Sequence, residues 1–577
     1  MSKDARNLLL CVLVTLGALL VAWPFAEGGY IDDFSYIHMA KTLAETGRFA
    51  YNGWPTAMLG IQVWWGAAWI WLFGFSFTLV RLSVWPLALG TVAVVYLLAW
   101  RAKLAPGDSM FVALVTVLNP NFISLAPTFM SDVPALFFLM ASLYGFVRAV
   151  ETASQGEEHP SRSYQWMLVG MFFGVLGGTI RQAVWFAPLG GSIVLFLWPG
   201  VGLRGRLAGL LCGAVGVACI LVGVRWFNSQ PYAIPIRTTS LATYLSPTHV
   251  LSTVRTVAAI VVGAASSIMP VIALQFPALR RWRLNHASWM GRSCAVDVAI
   301  VATLLLVFFD ATVRGILAKV GQSLGAVAPM QSCILIYRGG RIVILAVLAF
   351  GAMLLVFRGR AIVVSAVRRF PPALVLPLAY LMLYSAALLQ ASNTTGAIFG
   401  RYFLHYVPIL AYVLLWSDGV ASKFAIGGRR SVWGWVFLVV AAVCGINQLH
   451  DRFAGCRARL TAIDFLASKG IPRERIMAGW EIDGWEQIER VGHMNDSRIR
   501  VPPDAFQPFQ PDGYPEDLFI RKKLSALTPE YIVTDKPSPH PGDGTKFPTF
   551  PYTSWWPPFH REVVICHQTP TQTDEKP

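Results

Sequence analysis

Asp32 and Asp33 stand side by side in the run Ile31-Asp32-Asp33-Phe34-Ser35-Tyr36, and a third acid follows in Phe129-Met130-Ser131-Asp132-Val133-Pro134. Carboxylates held close to one another can take a proton from an incoming hydroxyl. Two adjacent aspartates could also ligate Mg²⁺ or Mn²⁺, although so few oxygen ligands need a substrate to complete the shell. Each run also has an ordinary structural reading. Asp32 and Asp33 precede Phe34, Ile37, Ala40, Leu43 and Ala44 at helical spacing, so they fit an N-cap and a first-turn acid. Ser131 and Asp132 before Pro134 form a common helix-start signal. His38, about one turn beyond Asp33, could polarise a hydroxyl or simply sit on a helix surface.

The complementary charge is arginine. Arg48, Arg81, Arg181, Arg225, Arg237, Arg255, Arg314, Arg338, Arg341 and Arg401, with Lys41 and Lys319, fall at or near the same boundary as these acids. Some would snorkel toward lipid phosphates. As a set they favour an anionic ligand, for which the guanidinium fork is well shaped.

The chain that must position these groups has 577 residues, 55% hydrophobic and 14% charged, with a mean hydropathy of +0.54. Soluble domains carry roughly 25% charged residues, so the composition points to a polytopic membrane protein. Only 8 cysteines are present, too few for a disulfide scaffold; Cys456 and Cys566 flank the polar tail and could pair if it lies outside the cell. The net charge of +16 is uneven: residues 1–448 carry 31 Lys/Arg against 13 Asp/Glu, and residues 449–577 carry 16 against 18. The excess belongs to the apolar part, where basic residues collect in cytoplasmic loops, and it does not form a nucleic-acid-binding face. No Walker A run, zinc-type Cys/His spacing, dinucleotide fingerprint or Gly-x-Ser-x-Gly elbow occurs.

About 13 apolar stretches approach the roughly 20 residues needed to cross a bilayer. They begin with an uncleaved anchor near 8–26, include stretches at about 108–126, 295–313 and 341–357, and end near 431–448. Residues 55–75 are Trp-rich and are expected to lie along the membrane, because counting them as a span would export the basic clusters around Arg281, Arg369 and Arg430. The N-terminus is then cytoplasmic. Residues 27–77 form a first outer loop with interfacial helices, and residues 449–577 form a small extracytoplasmic α/β module. Its helix is expected near 455–469, with strands at 475–478, 531–534 and near 561–567.

In this order and on this side, the motifs resemble the GT-C superfamily of polyprenyl-phosphate-sugar-dependent glycosyltransferases. The closest likeness is to the bacterial branch with lipid A aminoarabinose transferases and protein O-mannosyltransferase-like enzymes. The runs that carry it are Asp32-Asp33-Phe34-Ser35-Tyr36, the Trp-rich segment, Arg81-Leu82, Asn119-Pro120 and Ser131-Asp132-Val133-Pro134. Gly178-Thr179-Ile180-Arg181-Gln182 and Gly400-Arg401-Tyr402 with Pro408 complete it. Some relatives have Asp-Glu where this chain has Asp-Asp.

The resemblance implies an all-α membrane bundle over 1–448, in the cytoplasmic membrane of a bacterium, with a cavity facing the periplasm. It implies a lipid-phosphate sugar donor and an extracytoplasmic acceptor belonging to the cell envelope: a lipid such as that of lipopolysaccharide, a glycan or a protein. Asp32 or Asp33 would be the base, with Asp132 as the second acid. Arg401, Arg181, Arg237 and Arg338 would hold the donor phosphate, while Tyr36, His38, Gln182 and Tyr402 would line the substrates. A transporter or flippase of a lipid-linked saccharide is the alternative, but it would place charged or broken-helix features near the midplane in related halves. Here the acids gather at one face.

Overall fold

A computed structural model of the chain describes residues 2–154, 160–233, 256–257, 260–261, 263–275, 371–395, 399–422, 431–494, 526–535 and 547–567. The described part is mostly helical. It opens with α1 (Lys3–Val21), α2 (Asp33–Thr46), α3 (Gly60–Phe73), α4 (Phe77–Leu82) and α5 (Trp85–Arg101). Next come α6 (Pro106–Val117), α7 (Pro120–Leu125), α8 (Asp132–Ala153), α9 (Pro160–Ile180), α10 (Phe186–Leu197) and α11 (Leu203–Ser229). After these lie α12 (Met269–Leu274), α13 (Pro372–Thr395), α14 (Tyr406–Ser422) and α15 (Val432–Ser468). The tail carries α16 (Trp480–Val491) with β1 (Ile476–Met477), β2 (Tyr531–Thr534), β3 (Phe550–Thr553) and β4 (His560–His567).

Among the described residues, six helical segments are long and apolar enough to cross a membrane: α1, α4–α5, α8, α11, most of α13, and α15. The expected spans at 295–313 and 341–357 lie outside the described residues, as do Arg237 and Arg338. Where the sequence suggested one span over 108–126, the backbone breaks between α6 and α7. Pro120 brings no amide hydrogen to the ladder, and the Asn119 side chain accepts from Asn121 N at 3.0 Å to start a new helix. The Trp-rich segment yields α3, which has 14 residues.

The last apolar stretch and the helix near 455–469 are one 37-residue helix, α15, with no Gly-Pro break between them. The tail sheet has the order β1-β2-β4-β3; β1 pairs parallel to β2 and the other pairs are antiparallel. Edge strand β3 tolerates Pro551, which is also why its run did not read as a strand. Cys456 and Cys566 are not joined. The Cys456 thiol is buried against the Gly29 carbonyl at 3.9 Å, and Cys566 is free in β4.

The tail packs on the first outer loop. A Cβ at Gly29 would lie 2.7 Å from both the Glu481 carbonyl and Phe34 Cβ, so loop and α16 approach as closely as two backbones can with only hydrogen between them. Phe34, Trp54, Trp480 and Trp485 form the seam, with Phe34 edge-on to Trp480 at 5.2 Å. Lys41 of α2 pairs with Glu489 of α16 at 2.6 Å.

Candidate functional site

The two neighbouring aspartates part company at the start of α2. Asp33 is fully buried and bound to the equally buried Arg81 through two contacts, Nε to Oδ2 at 2.7 Å and Nη2 to Oδ1 at 3.1 Å. Its Oδ1 also accepts from Tyr30 N at 2.8 Å. Arg81 spends its remaining donors on the carbonyls of Ala26 and Gly28. Glu27 adds a brace by accepting from Ser76 Oγ and from the amides of Phe77 and Thr78, the entry to the helix that carries Arg81. Burial alone would push the Glu27 carboxyl up, but these hydrogen bonds together hold it below the usual carboxylate value. Both Asp33 oxygens are thereby engaged. Asp33 is a strut that ties the first loop to α4.

Asp32 occupies the N-cap position of α2 yet makes no capping hydrogen bond. Its side chain turns the other way. Oδ1 accepts from Trp54 Nε1 at 3.0 Å, and Oδ2 from Arg401 Nη1 at 3.0 Å, with 15% of the side chain exposed. The preceding Ile31 has φ +52°, a conformation unfavourable for a β-branched residue, so the turn that aims Asp32 is strained.

Asp132 opens α8 and is 2% exposed. Arg181 Nη2 lies 3.1 Å from its Oδ1, and Arg181 Nε donates to Ser131 Oγ at 2.9 Å. Neither carboxylate oxygen of Asp132 has a hydrogen bond of good geometry. A buried acid without hydrogen bonds is costly to leave, and the Arg181 guanidinium supplies its counter-charge. Arg181 is placed by the end of α9, which is pinned to the first loop: Leu59 N donates to Ile180 O at 3.2 Å and Ile61 N to Thr179 Oγ1 at 3.2 Å.

These pairs flank Tyr402. The Arg181 and Arg401 guanidinium carbons lie 5.6 and 6.0 Å from the Tyr402 ring centroid. The Tyr384 hydroxyl holds the Tyr402 carbonyl at 3.0 Å. Burial raises the Tyr36 phenol above its ordinary value; the negative charge of Asp32 adds to this, Arg401 and Arg181 oppose it, and Asp132 adds again. Tyr36 therefore feels all four charged groups, which come from α2, α8, the end of α9 and the turn before α14. Gln182 reaches toward Thr56 O at 3.4 Å, on the rim. His38 goes elsewhere. It faces Thr42, Glu489 and Trp485 at the tail seam.

The residues do not fit a metal shared by Asp32 and Asp33. Both Asp33 oxygens belong to Arg81 and the loop amides, while Asp32 faces a guanidinium. Among the described residues, no three His, Cys, Asp or Glu side chains converge as a metal site. Sequence reasoning grouped Arg81 with the acids without naming a partner for it, and it did not single out Trp54. The Asp-Asp doublet carried no signal of which acid would be tied down.

No family model and no curated protein match the sequence. Among solved structures, the chain is similar to the Archaeoglobus fulgidus oligosaccharyltransferase in complex with zinc and sulfate, at 14% identity over 92% of this chain and 68% of that one, with a TM-score of 0.46. It is also similar to ArnT from Cupriavidus metallidurans in the apo state, at 13% identity over 98% of each chain, with a TM-score of 0.44. A third similarity is to the same ArnT bound to undecaprenyl phosphate, at 12% identity over 96% of this chain and 97% of that one, with a TM-score of 0.40.

Proposed function

We propose that the chain is an integral membrane glycosyltransferase of the GT-C type, transferring a sugar from a polyprenyl-phosphate donor to an acceptor outside the cytoplasm. The observation that supports this best is the convergence of Asp32–Arg401 and Asp132–Arg181 around Tyr36 and Tyr402, with Asp33 held apart from them. On this reading residues 1–448 form the catalytic bundle, with the N-terminus in the cytoplasm of a bacterium. Residues 449–577 form an outward-facing module.

In the reaction, an Asp32 oxygen takes the proton of the acceptor hydroxyl as that oxygen attacks the anomeric carbon. The bond from that carbon to the phosphate oxygen breaks, and the electron pair leaves with the lipid phosphate. A single displacement inverts the anomeric centre. Charge balance links the two ends of the step. Protonation of Asp32 removes the counter-charge from Arg401 just as the leaving phosphate gains negative charge. Arg401 and Arg181 then stabilise the departing group, with no large movement required. Asp132 keeps Arg181 in place.

The test uses the purified full chain in lipid nanodiscs with radiolabelled polyprenyl-phosphate sugars and an envelope lipid extract as acceptor. Label should appear in the acceptor with release of polyprenyl phosphate. Transfer of label that is unaffected by Asp32→Asn would refute the assignment of the base. Translocation of the intact donor across the bilayer without any cleavage would support the flippase reading instead.

A further inference from the structure

We propose that the tip of the β3–β4 hairpin, residues 554–559, seats the tail module in the headgroup layer of the leaflet on the tail's side of the membrane. The partner is the lipid surface itself. Two relationships carry this: the level of the bilayer along α15, and the path of the hairpin beside that helix.

Helix α15 sets the level. From Val432 to Leu449 it contains no charged residue, and these 18 residues rise about 27 Å at 1.5 Å each, close to the roughly 30 Å of a hydrocarbon core. His450, Asp451 and Arg452 follow at once, so the apolar layer ends there. Arg457, two turns further on, donates to the carbonyls of Trp23 at 3.2 Å and Phe25 at 2.8 Å, just past the end of α1. A second helix of membrane length therefore stops beside the same stretch of α15, and it closes with an exposed tryptophan, as interfacial ends do.

The hairpin descends α15 toward this level. Phe550 packs on Phe465 with ring centroids 5.8 Å apart, the Tyr552 ring lies over Gly455, and Trp555 stacks on His450 at 3.9 Å. Each step along the strand is a step back down the helix. Asp451 then fastens the tip, accepting from Trp555 N at 2.7 Å and from Ser554 Oγ. Ser554 N donates to Phe559 O at 2.8 Å and closes the loop.

What projects past this clasp is apolar. No charged side chain occurs from Phe547 to Phe559, Pro557 and Pro558 are exposed, and Phe559 is 57% exposed. On α15 the face that bears His450 continues two and three turns back as Val443 and Val439, both exposed among the described residues. The tip thus overhangs the side of α15 that is open to lipid. Uncharged aromatic surface at the edge of the hydrocarbon favours the headgroup layer.

The experiment needs no turnover, so its outcome is independent of the proposed transfer reaction. The photoreactive residue p-benzoylphenylalanine is placed at position 559 of the full chain, in nanodiscs of tritiated phosphatidylethanolamine and phosphatidylglycerol, and irradiated. Val440, exposed on the apolar half of α15, gives the reference position, and Asp464 the control. Asp464 lies about 21 Å beyond His450, past a headgroup layer that adds only about 5–8 Å to each side of the core. Position 559 should give as much lipid adduct as position 440, and position 464 none. With the photoreactive residue moved to position 558, adduct should form in the parent and drop severalfold in Phe559→Asp, since a charge resists the interface. Phe559 is exposed, so this variant leaves the folded core intact. The proposal is overturned if position 559 yields no lipid adduct, if position 464 labels as strongly, if Phe559→Asp changes nothing, or if position 559 cross-links to a second copy of the chain instead of to lipid.

Discussion

Asp32 and Arg401 meet at 3.0 Å across 369 residues of chain, joining the first outer loop to the turn that precedes α14. The contact is partly exposed, with 15% and 20% of the two side chains accessible, so a ligand can reach it. Asp33, one residue away, is sealed. The adjacent acids therefore have separable consequences.

Replacing Asp32 by Asn keeps size and the Trp54 hydrogen bond but removes the base. Turnover should fall about 10²–10⁴-fold, the usual worth of general-base help, with thermal melting little changed. Asp132→Asn should cost less in the chemical step and more in substrate affinity, because it loosens Arg181. Steady-state kcat and KM for the two variants separate these outcomes; a larger kcat loss in Asp132→Asn would reverse the roles.

Asp33→Ala should act on stability instead. It leaves Arg81 buried and uncompensated, and breaking such a pair typically costs about 3–5 kcal/mol. A fall in melting temperature with reduced yield is expected for both Asp33→Ala and Arg81→Ala. If Asp33→Ala folds normally and only loses turnover, the strut reading fails.

Arg401→Lys retains a charge but gives up the planar fork. The donor KM should rise and kcat should fall, since the cation acts both on the bound phosphate and on the departing one. Arg181→Ala should raise donor KM and also free Asp132. A donor KM unchanged in both variants would place the phosphate elsewhere.

His38 provides a pH signature of the tail seam. Burial holds its imidazole down to about 4, Glu489 opposes that shift and Lys41 reinforces it. The folded chain thus binds fewer protons than the unfolded one between about 4 and the ordinary 6.5. Stability should be full above 6.5 and decline as pH falls through that window. His38→Gln should flatten the melting temperature against pH there, and equal slopes in parent and variant would remove His38 as the cause.

Glu27→Ala removes the acceptor for three donors at the start of α4. A loss of about 0.5–2 kcal/mol is expected, as for other helix caps. Because the folded carboxyl sits below its ordinary value of 4.5, the stability it contributes is present above that pH and lost as pH falls through the folded value. The variant should be less acid-sensitive than the parent in thermal melts; an unchanged acid profile would show that Glu27 contributes nothing.

Much of this arrangement could be read from residue types. Apolar length located the six long apolar segments among the described residues, and the sorting of acids and arginines by side grouped Asp32, Asp132, Arg181 and Arg401. Turn chemistry was harder. Ser131-Asp132 did open a helix, but Asp32 stands at an N-cap without capping, because a guanidinium more than 360 positions away outcompetes the local amide. Local rules contain no term for such a distant partner. The same holds for His38, whose neighbours Glu489 and Trp485 come from the tail. The break at Asn119-Pro120 was legible as a start signal, yet an uninterrupted apolar run concealed it.

Helix α15 gives the molecule a mechanical property. At 1.5 Å per residue its 37 residues form a rod about 55 Å long, rooted among the apolar helices and ending beneath the sheet. Torque applied to the tail therefore passes directly into the bundle, with no slack joint at residue 448 to absorb it. Cutting the chain there would sever a rod in mid-length and leave each half with a raw helical end.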